Sequence, residues 1–309
     1  MKADIDTPPH FCSINSISAG EPLYGSAPRT DYWLLLEHPH PPQAKALEES
    51  KLPAQVKQRL SDLQRSIPTL RALLIRRNRR TRPGDLRLYL ANSREPRPAL
   101  YSLSIPHAED LLALDVEAIL RGDPSGQPYL SDEPITLVCT NGKRDACCAR
   151  WGQPLYNALA KMDAGHVWQC SHVGGHRFAP NLILLPEGIY FGRIPLEEAG
   201  GLLTMFQLGQ MDIRYYRGRA IYPAPAQAGE YFLRQETGET RLDSYRLVEL
   251  SQPGTEEWQV AFLAPQEGRT YILRIISTQT DQTIFESCNT PHELKPVKVY
   301  HQVGAIQIK

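Results

Sequence analysis

The chain has 309 residues, of which 41% are hydrophobic and 22% are charged, a composition typical of soluble globular proteins. Its 34 basic residues balance its 34 acidic ones, so the net charge indicates neither a nucleic-acid partner nor a membrane partner. The sequence contains no apolar run of the ~20 residues that a membrane helix needs, and its polar N-terminus lacks a signal core, so a cytoplasmic location is expected.

The first part of the chain, residues 1–125, has the pattern of an N-terminal α/β domain built from short strands and two helices. Short apolar runs predict its strands, and a helical spacing of apolar residues, with Pro53 in the first turn, predicts its longer helix. The loop G-D-P-S-G-Q-P separates this domain from the next one. The predicted elements cover residues 31–37, 53–65, 70–75, 86–90, 99–105 and 110–120.

Residues 126–222 predict a second domain with the order β-α-β-β-β-α, which is close to a thioredoxin-type layout. A P-E-G turn between two apolar runs indicates a hairpin within it. Because the two domains share much of their element order, we expect them to be two versions of one layout. The predicted elements cover residues 135–138, 147–162, 166–169, 182–185, 189–191 and 197–206.

The remaining residues, 223–309, begin with P-A-P-A-Q-A-G and change in character. They predict a small, mostly β C-terminal extension, which gives the whole chain an α/β (α+β) fold class. The strand-like runs cover residues 231–234, 245–250, 258–263 and 271–276.

Two cysteines and two histidines, each pair beside the end of a predicted strand, form a candidate metal-binding set. Eight residues separate Cys139 from Cys148, and three residues separate His172 from His176 in the run H-V-G-G-H. Soft thiolates and imidazoles together suit a zinc ion or a [2Fe–2S] cluster. The two adjacent glycines disfavour a helix, and the glutamate of a zinc-protease helix is missing, so the histidines are expected on a loop.

The local pattern leaves the choice of ligands open. Cys147 is adjacent to Cys148, and spacing alone does not decide which of them faces a metal. Cys170 ends a predicted strand, which favours core packing but leaves it as an alternative ligand. Cys12 and Cys288 are too distant along the chain to assign. In the simplest alternative, the histidines are solvated loop residues and the cysteines are small apolar core residues.

Several motifs together resemble one protein family. They are V-C-T-N-G-K-R-D-A-C-C-A, S-H-V-G-G-H-R-F-A-P-N, W-L-L-L-E, and the run C-S-I-N-S-I-S-A-G-E-P-L-Y-G-S-A at residues 12–27. Their order and content are similar to those of the sucrase/ferredoxin-like family over residues 12–222. The name of that family suggests sugar chemistry, but the sequence shows no paired carboxylates of the kind that glycosidases use.

The resemblance implies a thioredoxin-like ferredoxin domain that holds a [2Fe–2S] cluster through Cys-x8-Cys and His-x3-His. On this basis the ligands are Cys139 and Cys148 on one iron and His172 and His176 on the other, and the spacing selects Cys148 over Cys147. Neutral imidazoles in place of two thiolates make such a cluster less negative, which raises its reduction potential. Reduction should also couple to protonation of the imidazoles, so the potential should fall as pH rises.

The function expected from these features is proton-coupled, one-electron transfer to or from an unidentified redox partner protein. A dinucleotide fingerprint is missing from the sequence, which favours an electron carrier over a stand-alone enzyme. Lys143, Arg144 and Arg177 lie beside the ligand positions, and the basic run Arg76–Arg82 offers a docking patch for an acidic partner. That run has no interleaved aromatic residues, so nucleic acid is not the expected partner.

Two other functions fit the same residues. A thiol–disulfide oxidoreductase would need C-x-x-C at the start of the first helix of its thioredoxin-like domain, whereas this chain has adjacent cysteines there. A structural Cys2His2 zinc site in a binding module would satisfy tetrahedral zinc with the same four side chains.

Overall fold

The fold was determined as a computed structural model that describes residues 11–78 and 85–309. Within these residues the helices are α1 (Cys12–Ser18), α2 (Ala54–Ser66), α3 (Val116–Leu120), α4 (Ala146–Met162), α5 (Ala199–Gln207) and α6 (Ala224–Thr237). Among the helices described, none is both long enough and apolar enough to cross a lipid bilayer.

The strands of the described residues form two sheets. The larger sheet contains β1 (Tyr32–Glu37), β2 (Leu70–Arg76), β3 (Leu86–Asn92), β4 (Ala99–Ile105), β5 (Leu130–Ser131), β6 (Ile135–Cys139), β7 (Val167–Cys170), β8 (Asn181–Leu185), β9 (Ile189–Gly192) and β10 (Tyr216–Arg219). The smaller sheet contains β11 (Arg246–Gly254), β12 (Glu257–Ala264), β13 (Arg269–Phe285) and β14 (Leu294–Ile308).

The larger sheet consists of two units with the same topology. In the first, β1 pairs parallel with β2 and antiparallel with β3, which pairs antiparallel with β4. In the second, β6 pairs parallel with β7 and antiparallel with β8, which pairs antiparallel with β9. Each unit therefore has a thioredoxin-like strand order, and the expectation that the two are versions of one layout is confirmed.

The two units join edge to edge through β2 and β7, which run antiparallel. Ile75 lies opposite Cys170 and Arg76 opposite Gln169 at this seam. One buried apolar cluster contains side chains from both units, including Trp33 of β1 and Trp168 of β7. The sheet is thus continuous across the seam, and the α/β class expected from the sequence is confirmed.

The apolar strands were well predicted because they are buried on both faces. Leu34, Leu35 and Leu36 are all fully buried in β1, and such strands show continuous apolar runs rather than alternation. The predicted strands match β1 to β4 and β6 to β9, and the predicted longer helices match α2 and α4. Pro53 directly precedes α2 instead of lying in its first turn.

The helix predicted over residues 110–120 is wrong as a single element. A short 3-10 helix covers Ala108–Ala113, and α3 starts afresh at Val116. Asp115 separates them because its carboxylate accepts a hydrogen bond from the backbone N–H of Ala118. Aspartate favours such an N-cap position over a helix interior, so it ends one element and begins the next.

The strand predicted over residues 231–234 is also wrong, because this segment lies inside α6. Pro225 occupies the first turn of α6 and Gly238 ends it with a left-handed backbone, φ +70°, and both are common helix boundaries. The aromatic pair Tyr231 and Phe232 gave this stretch a strand-like composition. The helix is stabilised instead by its buried face against β10 and the smaller sheet.

The C-terminal sheet has the antiparallel order β11–β12–β13–β14, which confirms the mostly β extension. Strand β13 continues far beyond the predicted run 271–276, and β14 was missed, because their outer halves are polar and exposed. The domain boundaries at residues 125 and 222 remain predictions, and α6 contacts strands of both sheets.

Candidate metal centre

The four predicted ligands lie at one edge of the larger sheet. Cys139 ends β6, Cys148 lies in the first turn of α4, His172 follows β7, and His176 begins a short 3-10 helix. Because β6 and β7 are parallel, their carboxyl ends lie at the same edge. The topology therefore brings together side chains that are up to 37 residues apart (176 − 139).

Three of the four side chains form a tight group. The thiol sulfurs of Cys139 and Cys148 and a ring nitrogen of His172 all lie within 4.8 Å of one another. The Cys148 Sγ is 3.7 Å from Nδ1 of His172. His176 lies beside this group, with its ring centroid 5.0 Å from that of His172 and an angle of 63° between the ring planes.

Burial divides the set into an inner and an outer half. Both cysteines are fully buried, whereas His172 and His176 are partly exposed, with 13% of the His176 side chain accessible. Interaction with the Cys148 thiol and with His172 holds the pKa of Cys139 well below its usual range despite burial. Interaction with Cys139 and burial raise the pKa of Cys148. Cys139 is thus the more readily ionised thiol of the pair.

The histidine loop depends on two glycines and one buried arginine. Gly174 and Gly175 have φ values of +92° and +69°, a left-handed conformation that glycine adopts readily. A Cβ on Gly175 would lie 2.3 Å from Nη2 of Arg217. The buried Arg217 guanidinium donates to the carbonyls of Gly174 and Ser26 and to the side chain of Asn181. The loop is therefore non-helical, as the sequence predicted, and a hydrogen bond from the Arg217 guanidinium fixes its backbone.

Asp145 links the α4 N-terminus to the histidine loop. Its Oδ1 accepts from the Cys147 backbone N–H at 3.0 Å, and its Oδ2 lies 2.8 Å from Nδ1 of His176. Burial opposes ionisation of this carboxyl, but His176 and backbone N–H donors hold its pKa well below the usual range. The sequence analysis missed Asp145, although an aspartate directly before a predicted helix is a recognisable N-cap signal.

Comparison with known proteins gives the family. The sucrase/ferredoxin-like family model matches residues 23–218, which is more than half of the chain. The chain belongs to the sucrase/ferredoxin-like family.

A curated relative of this sucrase/ferredoxin-like chain is Altered inheritance of mitochondria protein 32 from Meyerozyma guilliermondii. The two are 31% identical over 100 residues, which cover 29% of this chain and 35% of the relative. The chain therefore matches only about a third of the length of that relative.

Among solved structures, the thioredoxin-like [2Fe-2S] ferredoxin from Aquifex aeolicus is 12% identical with a TM-score of 0.28; the match covers 30% of this chain and 97% of the ferredoxin. A cysteine-to-serine variant of that ferredoxin is 13% identical with a TM-score of 0.25, and here the match covers 27% of this chain and 97% of the variant.

The other two cysteines of the ligand region lie outside the group of Cys139, Cys148 and His172. Cys170 is buried opposite Cys139 in the β6–β7 pair, where burial raises its pKa well above the usual value. Cys147 faces away from Cys148 toward Cys12 and Cys288, and we call these three residues the thiol triad. Sequence reasoning could not have found this triad, because Cys12 and Cys288 lie 276 positions apart along the chain.

The basic residues near the histidines differ in availability. Lys143 and Arg144 are exposed, whereas Arg177 contacts the carboxylates of Glu21 at 2.8 Å and Glu286 at 3.1 Å. Arg177 is therefore already neutralised within the fold. Of the run Arg76–Arg82, residues 79–82 lie outside the described residues, and the guanidinium of Arg77 stacks 4.1 Å from the ring centroid of Trp168.

Proposed function

We propose that this protein is a one-electron carrier that binds a [2Fe–2S] cluster through Cys139, Cys148, His172 and His176. The observation that carries the proposal is the convergence of two buried thiols and an imidazole within 4.8 Å, with a second imidazole beside them. Membership of the sucrase/ferredoxin-like family supports the same assignment. A bound cluster would supply a centre that accepts and returns a single electron.

The donor set suits an iron–sulfur centre. Thiolates and imidazoles are the protein ligands of the mixed cysteine–histidine [2Fe–2S] centres. Here the cysteines come from β6 and α4, and the histidines come from the segment after β7. The buried cysteines exclude water from the inner side, while the partly exposed histidines form the outer side. Electrons would therefore enter and leave past His172 and His176.

The contact between His176 and Asp145 is of the kind that commonly supports a metal-binding histidine. A histidine that binds metal through one ring nitrogen usually donates its other N–H to a carboxylate or carbonyl. The Nδ1 of His176 lies 2.8 Å from the Asp145 carboxylate, so Nε2 is the nitrogen left for a ligand bond. Asp145 thus holds the His176 ring from its Nδ1 side.

The surroundings of His172 suit a protein partner with an acidic surface. An open cavity of about 260 Å³ is lined by residues 44–48, Arg144 and His172. Exposed Arg144 adds positive charge at this rim, its neighbour in the sequence, Lys143, is exposed as well, and complementary charge speeds the encounter of two proteins. Arg177 does not add to this charge because two carboxylates hold it.

Anaerobic purification followed by metal analysis tests the proposal. We expect iron, the absorption and EPR signals of a [2Fe–2S] cluster, and loss of both in His172→Ala and His176→Ala. His166→Ala is the matched control, because His166 contacts Glu133 and Asp163 at the other end of β7. A colourless protein with stoichiometric zinc and no iron, even after cluster reconstitution, would contradict the proposal.

The pH dependence of the midpoint potential tests the histidine ligands separately. If reduction takes up a proton on a ligating imidazole, the potential should fall by up to about 59 mV per pH unit as pH rises. Voltammetry of the iron-loaded protein measures this slope. A potential that does not change with pH would argue against two histidine ligands even if a cluster were present.

A further inference from the structure

The thiol triad and Asp145 form a second group of side chains of the types that bind metal ions, separate from the proposed cluster ligands. The sulfur of Cys147 lies 3.5 Å from that of Cys12 and 3.4 Å from that of Cys288, and the remaining pair is 3.6 Å apart. Oδ1 of Asp145 lies 3.7 Å from the Cys12 sulfur. All four ligand atoms lie within 4.8 Å of one another.

Apolar packing does not explain this group. Three thiols and a carboxylate meet there, and the Asp145 side chain is fully buried. The three sulfurs are too far apart to be bonded to one another, and an odd number of thiols cannot pair completely in any case. The Asp145 carboxylate is held beside the sulfurs by hydrogen bonds from the backbone N–H groups of Cys147 and Cys288 and from the Ser287 hydroxyl.

The distances match a tetrahedral metal ion. Zinc–sulfur bonds of ~2.3 Å at tetrahedral angles place two sulfurs about 3.8 Å apart, and a zinc–oxygen bond of ~2.0 Å places oxygen about 3.5 Å from each sulfur. The observed sulfur–sulfur separations are 3.4 to 3.6 Å, and the oxygen lies 3.7 Å from the Cys12 sulfur. Small changes in these separations would allow all four atoms to bond to one zinc ion at their centre.

Two hydrogen-bond donors lie beside sulfurs of the triad. The backbone N–H of Cys12 points to the Cys288 sulfur at 3.4 Å. Trp151 Nε1 donates to the Ser13 hydroxyl at 2.9 Å, which leaves the hydroxyl proton free to point at the Cys147 sulfur 3.2 Å away. Metal-bound thiolates commonly accept such second hydrogen bonds.

We propose that Cys12, Cys147, Cys288 and Asp145 bind a structural zinc ion. The four ligands complete a tetrahedral set and leave no open position for a substrate, which is typical of a structural site rather than a catalytic one. The ligands come from α1, from the start of α4 and from the loop after β13. The ion would therefore link α1 and the C-terminal extension to the unit that contains the proposed cluster ligands. Asp145 would serve both centres, with Oδ1 toward zinc and Oδ2 toward His176.

Zinc and iron contents of matched variants test the proposal. We expect about one zinc ion per chain in the wild type, kept in His172→Ala but lost in Cys288→Ser, whose iron content should stay at the wild-type level. Cys170→Ser is the control for removing a buried thiol outside the triad. Cys288 is partly exposed, so its serine variant has the best prospect of folding.

A second measurement does not depend on variants. Cobalt added to the zinc-stripped wild-type protein should give thiolate-to-cobalt charge-transfer absorption, and added zinc should remove it. Zinc that is lost from His172→Ala but kept in Cys288→Ser would overturn the proposal. A wild-type protein that binds neither metal under reducing conditions, or that contains a disulfide within the triad after anaerobic isolation, would also overturn it.

Discussion

The carboxylate of Asp145 lies 2.8 Å from Nδ1 of His176, and this contact joins the start of α4 to the histidine loop. The same carboxylate accepts hydrogen bonds from the Ser287 hydroxyl at 3.0 Å and the Cys288 backbone N–H at 2.8 Å. One buried side chain therefore connects both candidate metal centres and the C-terminal extension. Its charge should matter more than its size.

Asp145→Asn tests the importance of that charge. Asparagine is as good an N-cap as aspartate, so α4 should still begin at the same place. Asp145→Asn removes the carboxylate that contacts His176, so we expect iron affinity to fall about 10–100-fold, as is typical when a residue that supports a ligand is changed. Any cluster that remains should have a higher potential. Chelator-driven iron release and voltammetry measure these two effects.

Asp115→Asn is the matched control for Asp145→Asn. Asp115 caps α3 through the Ala118 N–H at 2.9 Å and lies far from the candidate centres in the sequence. Its substitution should leave iron release unchanged. Equal iron retention in Asp145→Asn and the wild type would mean that the Asp145 charge does not support His176 as a ligand.

Cys147→Ala and Cys148→Ala should separate the two centres. Cys148 faces Cys139 and His172, whereas Cys147 faces Cys12 and Cys288. We therefore expect Cys148→Ala to lose iron and keep zinc, and Cys147→Ala to lose zinc and keep iron. Metal analysis of both purified proteins decides this. Loss of iron only in Cys147→Ala would show that Cys147, and not Cys148, is the cluster ligand.

Much of this fold was predictable because its strands carry continuous apolar runs. The ligand pairs were also predictable as candidates, because Cys139 ends one of two parallel strands and His172 follows the other. The seam between β2 and β7 was not predictable, because strands that are buried throughout do not indicate which edge meets which neighbour. Composition alone also misassigned residues 231–234, where packing of α6 outweighed the strand preference of two aromatic residues.

The thiol triad shows a different limit of sequence reasoning. Cys147 could be placed on a helix, but its orientation depends on which helix face covers the sheet. Cys12 and Cys288 reach it only because the long hairpin of β13 and β14 returns the chain to α1. Such contacts depend on the tertiary fold, and local sequence periodicity does not predict them.

A buried charge network should make the protein sensitive to acid. Glu230 is fully buried and contacts Arg219 at 3.2 Å and Arg234 at 3.0 Å. Burial opposes its ionisation, but Arg219 and Arg234 outweigh burial and lower its pKa below the ordinary 4.5. Since the folded pKa is the lower one, this contribution to stability is complete above pH about 4.5 and is lost as pH falls through the folded pKa.

Glu230→Gln removes the charge and leaves two buried guanidinium groups without it. We expect the free energy of unfolding to fall by about 3–5 kcal/mol at neutral pH. The difference from the wild type should shrink as pH falls below 4.5, because the wild type then loses the same charge. Urea unfolding at several pH values measures both effects, with exposed Glu249→Gln as the control. A difference that does not change with pH would contradict this account.

Gly152 sets the distance between α4 and the end of β6, and therefore between the two cysteines of the proposed cluster site. A Cβ at this position would lie 2.1 Å from the backbone oxygen of Cys139, closer than any real contact allows. Gly152→Ala should push the helix away at a cost of about 1–3 kcal/mol. Because Cys148 moves with α4, iron content should fall as well. Unfolding measurements and metal analysis test both effects.

An alanine substitution at Gly201 should have the opposite effect on stability to one at Gly152. It also lies inside a helix, α5, but a Cβ there would have nothing within 4 Å. Gly201→Ala should therefore raise the free energy of unfolding by about 0.5–1 kcal/mol, because alanine is the better helix former, and should leave iron content unchanged. If both alanine variants stabilised the protein, or if Gly152→Ala kept its iron, the close approach of α4 to Cys139 would not control the cysteine pair.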